Sequence, residues 1–213
     1  EKHLRQNLRL REQLTRVAKT PVEKALKQTR AVLQQKKEIG ERVLSEYQDS
    51  LNIVLSAEQK LAFWLALSRP FLMIAGGPGS GKTTLTGLML KAYLQLNVFA
   101  SGGFALTAPT GRAVSRLEEA VQLNVAGEEQ ASLSKSKKQQ VVLETLHRLL
   151  RYSPATGRFR YNEENPLPYS VIILDEVSMV DLSLMTHFFA ALAPGTQVII
   201  MGDPEQLPSV EAG

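Results

Sequence analysis

Eight consecutive residues combine the types and the spacing that bind phosphate. They read Gly76-Gly77-Pro78-Gly79-Ser80-Gly81-Lys82-Thr83 and match the pattern G-x-x-x-x-G-K-[ST]. Glycines allow backbone N–H groups to converge on phosphate oxygens, and the first turn of a helix adds partial positive charge. In this pattern Lys82 contacts the β- and γ-phosphates, and the Thr83 hydroxyl binds Mg²⁺. We therefore predict a site for ATP and Mg²⁺ over residues 76–84, with Thr84 at its end.

Two adjacent carboxylates supply the second half of such a site. The apolar residues 171–174 are followed by Asp175-Glu176, and phosphoryl-transfer sites need an acidic residue at the end of a neighbouring strand. Asp175 is predicted to hold Mg²⁺, directly or through water, and Glu176 to polarise the attacking water. The alternative for Glu176 is a surface carboxylate at a strand end.

Short apolar runs that alternate with helical patterns must position these groups. The predicted strands are 71–75, 104–108, 171–175 and 197–201, and the predicted helices are 82–96, 111–121 and 182–192. Fully apolar strands separated by helices favour an α/β fold with a parallel sheet covered by helices on both faces. Because a strand precedes the phosphate loop and a helix follows it, an ordinary glycine-rich turn is a weaker explanation of the loop.

The first 50 residues differ in character from the rest of the chain. Residues 1–48 hold 12 Lys and Arg against 6 Asp and Glu, whereas the remainder holds 13 against 15. We predict a basic helical hairpin over 1–50, which either docks on nucleic acid or an acidic protein or is a solvated surface. Residues 51–213 form the α/β domain, with a polar insertion at 122–140 and a small hairpin or loop at 153–168.

Composition excludes several other kinds of protein. The chain has no cysteine and three histidines far apart, so neither a disulfide framework nor a zinc site is expected. The longest apolar run, 61–67, is too short to span a bilayer, so we expect a cytoplasmic protein with no membrane partner. The chain begins at Glu1 without a methionine and ends just after a motif, so we expect a fragment of a longer protein.

Four motifs in a fixed order indicate which family the chain resembles. They are, in chain order, residues 107–113, 145–150, 175–181 and 202–210. Together they resemble the first motor domain of a superfamily-one DNA helicase, and most of all the RecD family. The resemblance covers about residues 55–213 and implies a P-loop, RecA-like fold.

The resemblance also implies roles for two glutamines. Gln59 would read the adenine edge, the less favoured alternative being the third residue of a helix cap that begins at Ser56. Gln206 would sense the γ-phosphate and couple it to domain motion, the alternative being a polar loop residue.

Further residues are implied to lie along single-stranded DNA. Thr110, Gly111 and Arg112 would contact the phosphate backbone, while solvent exposure at a helix start is the alternative for Arg112. His147 would line the same path or pack as a helical histidine. Residues 158–161 alternate arginine with aromatic residues, which suits either a hairpin that helps to part the duplex or a plain surface turn.

The implied function is an ATP-dependent DNA helicase motor with 5′ to 3′ polarity, acting in double-strand-break repair and recombination. Its partners would be single-stranded DNA and the other subunits of a RecBCD-type complex (exodeoxyribonuclease V). A stand-alone RecD-like helicase and a P-loop ATPase that does not act on DNA stay open as alternatives. The family's charge-stabilising arginines come from a second domain, so we expect this chain to bind nucleotide, hydrolyse it poorly and unwind nothing alone.

Overall fold

The computed structural model describes residues 22–96, 102–125 and 141–206. These ranges leave out the first helix of the predicted basic hairpin (residues 2–19), most of the predicted polar insertion at 122–140, and residues 207–210 of the last motif.

The described residues form six α-helices and seven β-strands. The helices are α1 (Val22–Leu51), α2 (Ala57–Ser68), α3 (Lys82–Gln95), α4 (Gly111–Val125), α5 (Leu146–Leu149) and α6 (Leu182–Ala190). The strands are β1 (Phe71–Ala75), β2 (Gly103–Ala108), β3 (Val141–Thr145), β4 (Tyr152–Ser153), β5 (Arg158–Phe159), β6 (Tyr169–Leu174) and β7 (Gln197–Gly202), and a short 3₁₀ turn covers Val177–Met179.

Five parallel strands form the central sheet, in the order β1-β7-β6-β2-β3. The inner strands β7, β6 and β2 are almost entirely buried, as expected for a parallel sheet with helices on both faces. The predicted α/β fold is therefore confirmed. Because all five strands run the same way, the loops after β1, β6 and β7 emerge along one edge of the sheet.

Two apolar clusters cover the sheet. Ile172, Leu174 and Ile200 pack with Phe188 of α6 and with Leu167. Elsewhere, residues of α4 pack on the end of β2 and on Leu143 of β3. This packing holds α4 beside the carboxyl ends of the strands.

One strand and one helix end were not predicted. The edge strand β3 pairs with β2 over Phe104↔Val141 to Ala108↔Thr145, immediately after the predicted polar insertion. In addition, α4 continues to Val125, so the predicted start of the insertion at residue 122 is wrong for the first four residues. The reason is that no glycine or proline interrupts the chain between Gly111 and Gly127.

The predicted second helix of the basic segment is present as α1. It passes through Gly40 without interruption and ends at Leu51, close to the predicted boundary after residue 50. Contacts within the chain, however, separate two compact units at Glu41 and Arg42, inside this helix. In the larger unit the buried Tyr47 donates a hydrogen bond to the Thr84 carbonyl oxygen at 2.9 Å, which ties the end of α1 to α3.

The predicted hairpin at 153–168 begins one residue earlier, at Tyr152. Strands β4 and β5 pair antiparallel, with Tyr152 opposite Phe159 and Ser153 opposite Arg158. Gly157 supplies the positive φ, 65°, that the turn between them requires. Within the ranges that the structure describes, no helix is long and apolar enough to cross a membrane.

Candidate nucleotide site

The loop between β1 and α3 has the backbone shape of a phosphate cradle. Gly79 and Gly81 adopt positive φ angles of 74° and 81°, which side-chain-bearing residues rarely adopt. Gly81 is the N-cap of α3 and makes no side-chain cap, so the first N–H groups of the helix remain available to an anion. The Gly76 N–H donates to the Gly202 carbonyl oxygen at 3.0 Å, which fixes the start of the loop to β7.

Lys82 reaches across this loop. Its ammonium group donates to the carbonyl oxygens of Gly76 and, at 2.9 Å, of Gly77. A phosphate oxygen is a charged and therefore stronger acceptor than a peptide carbonyl. The lysine is thus held at the loop by bonds that a bound phosphate would outcompete.

A cavity of about 450 Å³ brings the phosphate loop together with the acidic pair. This is within the usual size of a small-molecule site. Its walls are formed by residues 78–84, Ala113, Arg116, Leu117, Asp175, Glu176, Gly202, Asp203 and Gln206. The structure therefore brings together all the phosphate-handling residues predicted from sequence except Gly76 and Gly77, which precede the cavity wall.

Asp175 is buried at the end of β6, with 8% of its surface exposed. Burial raises the pKa of its carboxyl group, while a hydrogen bond from the Glu176 N–H and the charge of Lys82 partly oppose that rise. The Glu176 N–H donates to Asp175 Oδ1 at 2.8 Å. The carboxylate is thus poorly solvated, which a nearby cation would relieve.

The oxygen ligands present suit a magnesium ion that arrives with a nucleotide. The Thr83 hydroxyl and the Asp175 carboxylate both border the cavity, and Mg²⁺ is usually held by one or two carboxylates together with phosphate oxygens and water. Among the described residues no cluster of three acidic or histidine side chains could hold a metal by itself. The site fits Mg²⁺ bound through phosphate and does not fit a protein-only metal centre.

Glu176 has an unusual backbone conformation and a charged neighbour. Its φ and ψ are 53° and 40°, in the left-handed region, which costs a non-glycine residue about 1 kcal/mol or more. Its carboxylate lies 3.5 Å from the guanidinium group of Arg116 on α4. Such strain is often found at functional sites, where the surrounding structure maintains it.

Gln206 is held on another wall of the same cavity. The Ser178 hydroxyl donates to Gln206 Oε1 at 3.0 Å, and the Gln206 N–H donates to the Asp203 carbonyl oxygen at 3.3 Å. With its oxygen engaged, the side-chain amide can present its NH₂ group, which is the end able to bind a phosphate oxygen.

Gln59 forms the predicted helix cap and also touches the phosphate loop. The Ser56 N–H donates to Gln59 Oε1 at 2.9 Å, and the Gln59 N–H donates to Ser56 Oγ at 3.2 Å. Gln59 Nε2 donates to the Ser80 carbonyl oxygen at 3.0 Å. A second groove, of about 410 Å³, lies between α2 and β1. Its polar lining residues are Ser56, Glu58, Gln59, Ser80 and Lys82, and the rest of its lining is apolar.

The predicted DNA-contacting residues lie in two places, neither of which lines the nucleotide cavity. Thr110, Gly111 and Arg112 form the start of α4, where the Thr110 hydroxyl accepts the Ala113 N–H at 3.2 Å, and Gly111 and Arg112 are exposed. His147 is exposed on α5.

His147 belongs to a cluster of four rings around the hairpin. Its ring centroid lies 5.7 Å from that of Tyr152 and 6.2 Å from that of Phe159, which lies 4.6 Å from His187 of α6. His147 therefore has aromatic neighbours on an exposed surface, and its place along a DNA path stays a prediction.

Sequence reasoning missed three residues of the site. Arg116, Ser178 and Asp203 contribute to the cavity wall or hold a wall residue. Ser178 and Asp203 lie inside two of the four recognised motifs, so their position in those motifs could have identified them as site residues. Arg116 contacts a residue 60 positions away, and helical spacing alone does not reveal such a partner.

Comparisons with known proteins identify the family of the chain. A family model described as an AAA domain matches residues 59–212. The RecBCD enzyme subunit RecD of Mycolicibacterium smegmatis is 42% identical over 160 residues, covering 73% of this chain and 28% of that protein. The ATP-dependent RecD2 DNA helicase of Deinococcus radiodurans is 38% identical over 159 residues, covering 75% of this chain and 19% of that protein.

A solved structure supports the fold alone. The UvsW helicase from bacteriophage T4 matches with a TM-score of 0.52 at 15% identity, over 70% of this chain and 52% of that one. The family model covers most of the present sequence and includes Gln59 and every residue of the cavity wall. The chain therefore belongs to the AAA domain family, and over this region it resembles the RecD proteins.

Proposed function

We propose that this chain binds ATP with Mg²⁺ and is the first motor domain of an ATP-dependent DNA helicase. The observation that carries the proposal is the convergence of Lys82, Thr83, Asp175, Glu176 and Gln206 on one cavity. These residues come from three loops at the same edge of the sheet, which is where open α/β sheets bind ligands.

Each residue then has a chemical task. Lys82 binds the terminal phosphates as they replace the carbonyl oxygens of Gly76 and Gly77. Thr83 and Asp175 would hold the magnesium ion, which would neutralise phosphate charge. Glu176 orients and polarises the attacking water, and Gln206 contacts the γ-phosphate through its NH₂ group.

The adenine end of the nucleotide is assigned to Gln59. This side chain borders the groove between α2 and β1 and already contacts the phosphate loop through Ser80. An adenine edge offers a donor and an acceptor that match the two ends of a glutamine amide. To read the base, Gln59 must exchange at least one of its present bonds, to Ser56 or to Ser80.

The role in DNA metabolism is proposed from the relatives. Thr110, Gly111 and Arg112 would bind the phosphate backbone of single-stranded DNA, with the exposed arginine supplying the charge. We propose a cytoplasmic parent protein that works with other subunits of a RecBCD-type complex. The similarity to the RecD2 DNA helicase keeps a stand-alone helicase as the second candidate.

Nucleotide binding by the whole chain tests the proposal. Titration with a fluorescent adenine nucleotide and Mg²⁺, with unlabelled ATP and GTP as competitors, should show a preference for ATP. Lys82→Ala should weaken binding at least about tenfold, since it removes a charge-assisted bond to phosphate. Lys91→Ala is the matched control, because Lys91 lies on the same helix and pairs with Glu46 at 3.3 Å outside the cavity.

Two outcomes would reject parts of the proposal. Equal competition by GTP would exclude Gln59 as an adenine reader and leave a nucleotide site of another specificity. Binding that is unaffected by Lys82→Ala would show that the nucleotide does not occupy the phosphate loop.

A further inference from the structure

Arg116 is the one arginine that lines the nucleotide cavity among the described residues. Its guanidinium group lies 3.5 Å from Glu176 Oε1, and the two side chains are 62% and 21% exposed. The other ion pairs found in the described residues involve no residue of the cavity wall. The proposed water-polarising carboxylate is thus paired with a cation from a separate element of the fold.

The backbone that carries Arg116 is anchored on both sides. Ala113 and Leu117, three residues before it and one after it, are 4% and 2% exposed and pack with Ala108 at the end of β2. The arginine therefore extends from a fixed stretch of α4. Glu176 also has a fixed backbone, because its N–H binds Asp175 and its φ is held at 53°.

The side chain of Glu176 needs such a partner for two reasons. A glutamate has three rotatable bonds, so its carboxylate has no single position unless something binds it. In addition, a carboxylate in a cavity that accepts a polyphosphate repels the ligand unless its charge is balanced. Arg116 meets both needs. Its planar guanidinium group donates hydrogen bonds in fixed directions, and its positive charge is permanent.

We propose that Arg116 is a positioning residue for Glu176: it holds the carboxylate on the cavity wall and balances its charge while nucleotide is bound. This inference rests on the proposed function of the cavity. Two other readings of Arg116 predict different results. A solvated surface pair would contribute almost nothing, and a direct phosphate contact would act independently of Glu176.

A double-mutant cycle on the whole chain separates these readings. The dissociation constant for Mg·ATP is measured for wild type, Arg116→Gln, Glu176→Gln and the double variant. Arg116→Gln should weaken binding roughly fivefold, the scale of coupled neighbouring charges. In the Glu176→Gln background the same change should matter less than about twofold, because the charge that Arg116 balances has been removed.

The conservative variant and the rate of reaction test positioning itself. Single-turnover hydrolysis at saturating ATP should fall at least about tenfold in Arg116→Gln, as expected for a displaced general base. Compared with Arg116→Gln, Arg116→Lys should recover part of the rate, since lysine restores the positive charge but not the planar guanidinium group. If hydrolysis by wild type is below detection, the binding cycle decides alone.

Matched controls and contrary results complete the design. Arg151→Gln removes an arginine paired with Glu144 at 2.8 Å, with similar exposures of 46% and 25%, outside the cavity. It should leave nucleotide binding unchanged, and thermal unfolding should show that all variants fold.

No effect of Arg116→Gln, an equal effect in both Glu176 backgrounds, or an unchanged saturating rate would overturn the inference. Absence of nucleotide binding by wild type would instead reject the proposed function, and this inference with it.

Discussion

At the scale of single residues, Asp175 shows the carboxylate environment on which its proposed magnesium role rests. Its carboxyl group is 8% exposed, and burial raises its pKa above the ordinary value of 3.8. The protonated form is therefore favoured more in the folded than in the unfolded chain. The contribution of Asp175 to stability is thus present below the unfolded pKa and is lost as the pH rises through the folded pKa.

This gives a prediction for the chain without nucleotide or metal. Asp175→Asn should raise the melting temperature at pH 7 by a few degrees, on the order of 1 kcal/mol, because it removes a poorly solvated charge. The advantage should shrink as the pH falls toward the carboxyl pKa. Differential scanning fluorimetry from pH 4 to pH 8 in EDTA measures it, with the exposed Glu163→Gln as control. A variant less stable than wild type at pH 7 would contradict the argument.

The residues of the site could be predicted from the sequence where the residues that act together lie close together in the chain. Lys82, Thr83 and Asp175 were found because a phosphate loop and an acidic strand end have recognisable patterns. Arg116 was not found, because its partner on the loop after β6 meets it only after the sheet has formed. The strained backbone of Glu176 is likewise a property of the folded chain.

At the scale of elements, the start of α2 joins helix capping to the phosphate loop. Gln59 completes the capping box with Ser56 and donates to the Ser80 carbonyl. A Cβ added to Gly81 would lie 2.3 Å from Gln59 Nε2, so the loop and the glutamine are closely fitted. The cap and the proposed adenine-reading role therefore depend on the same side chain.

Two substitutions should separate these roles. Ser56→Ala and Gln59→Ala each break the capping box and should cost about 1 kcal/mol of unfolding free energy. Gln59→Ala should reduce the preference for ATP over GTP more than Ser56→Ala does, since the Gln59 amide is the group assigned to the adenine edge and Ser56 offers the groove only a hydroxyl. Thermal unfolding and competition binding on both variants provide the test. An equal loss of preference in both would mean that the cap positions the loop and that Gln59 has no separate part in base selection.

The elements themselves were predictable where apolar runs are long or are bounded by strong signals. Strand β1, helix α3 and the Ser56 cap follow from such patterns. Strand β3 was not predicted because its five residues follow a polar segment and are too few to show a clear apolar and polar alternation. They form a strand because they pair with β2. The hairpin of β4 and β5 was indicated by its proline, glycine and asparagine content rather than by its strands.

At the scale of the whole molecule, the distribution of charge bears on DNA binding. The net charge is +4, and its basic excess lies in residues 1–48. The α/β domain has a slight acidic balance, yet it exposes Arg112 at the start of α4, where β2 ends. The basic residues 1–48 and the exposed Arg112 are therefore two candidates for contact with a polyanion.

The last prediction concerns whether Arg112 binds single-stranded DNA and whether the chain unwinds duplex DNA. If Arg112 contacts phosphate, Arg112→Gln should weaken binding of a labelled oligonucleotide to a similar degree for every base sequence. It should also lower the slope of log affinity against log salt by about 0.7, the value for one phosphate contact to a single strand. Fluorescence anisotropy at several salt concentrations measures both, with Arg69→Gln, an exposed arginine at the end of α2, as the matched loss of charge.

The chain spans 28% and 19% of the two relatives compared, and in the proposed role the arginines that stabilise phosphoryl charge would come from a second domain. We therefore expect a forked duplex to stay annealed when this chain and Mg·ATP are added, even where single strands bind. Equal losses of affinity in Arg112→Gln and Arg69→Gln would show that Arg112 acts only through net charge and makes no phosphate contact of its own. Strand separation by this chain alone would show that one domain is sufficient as a motor.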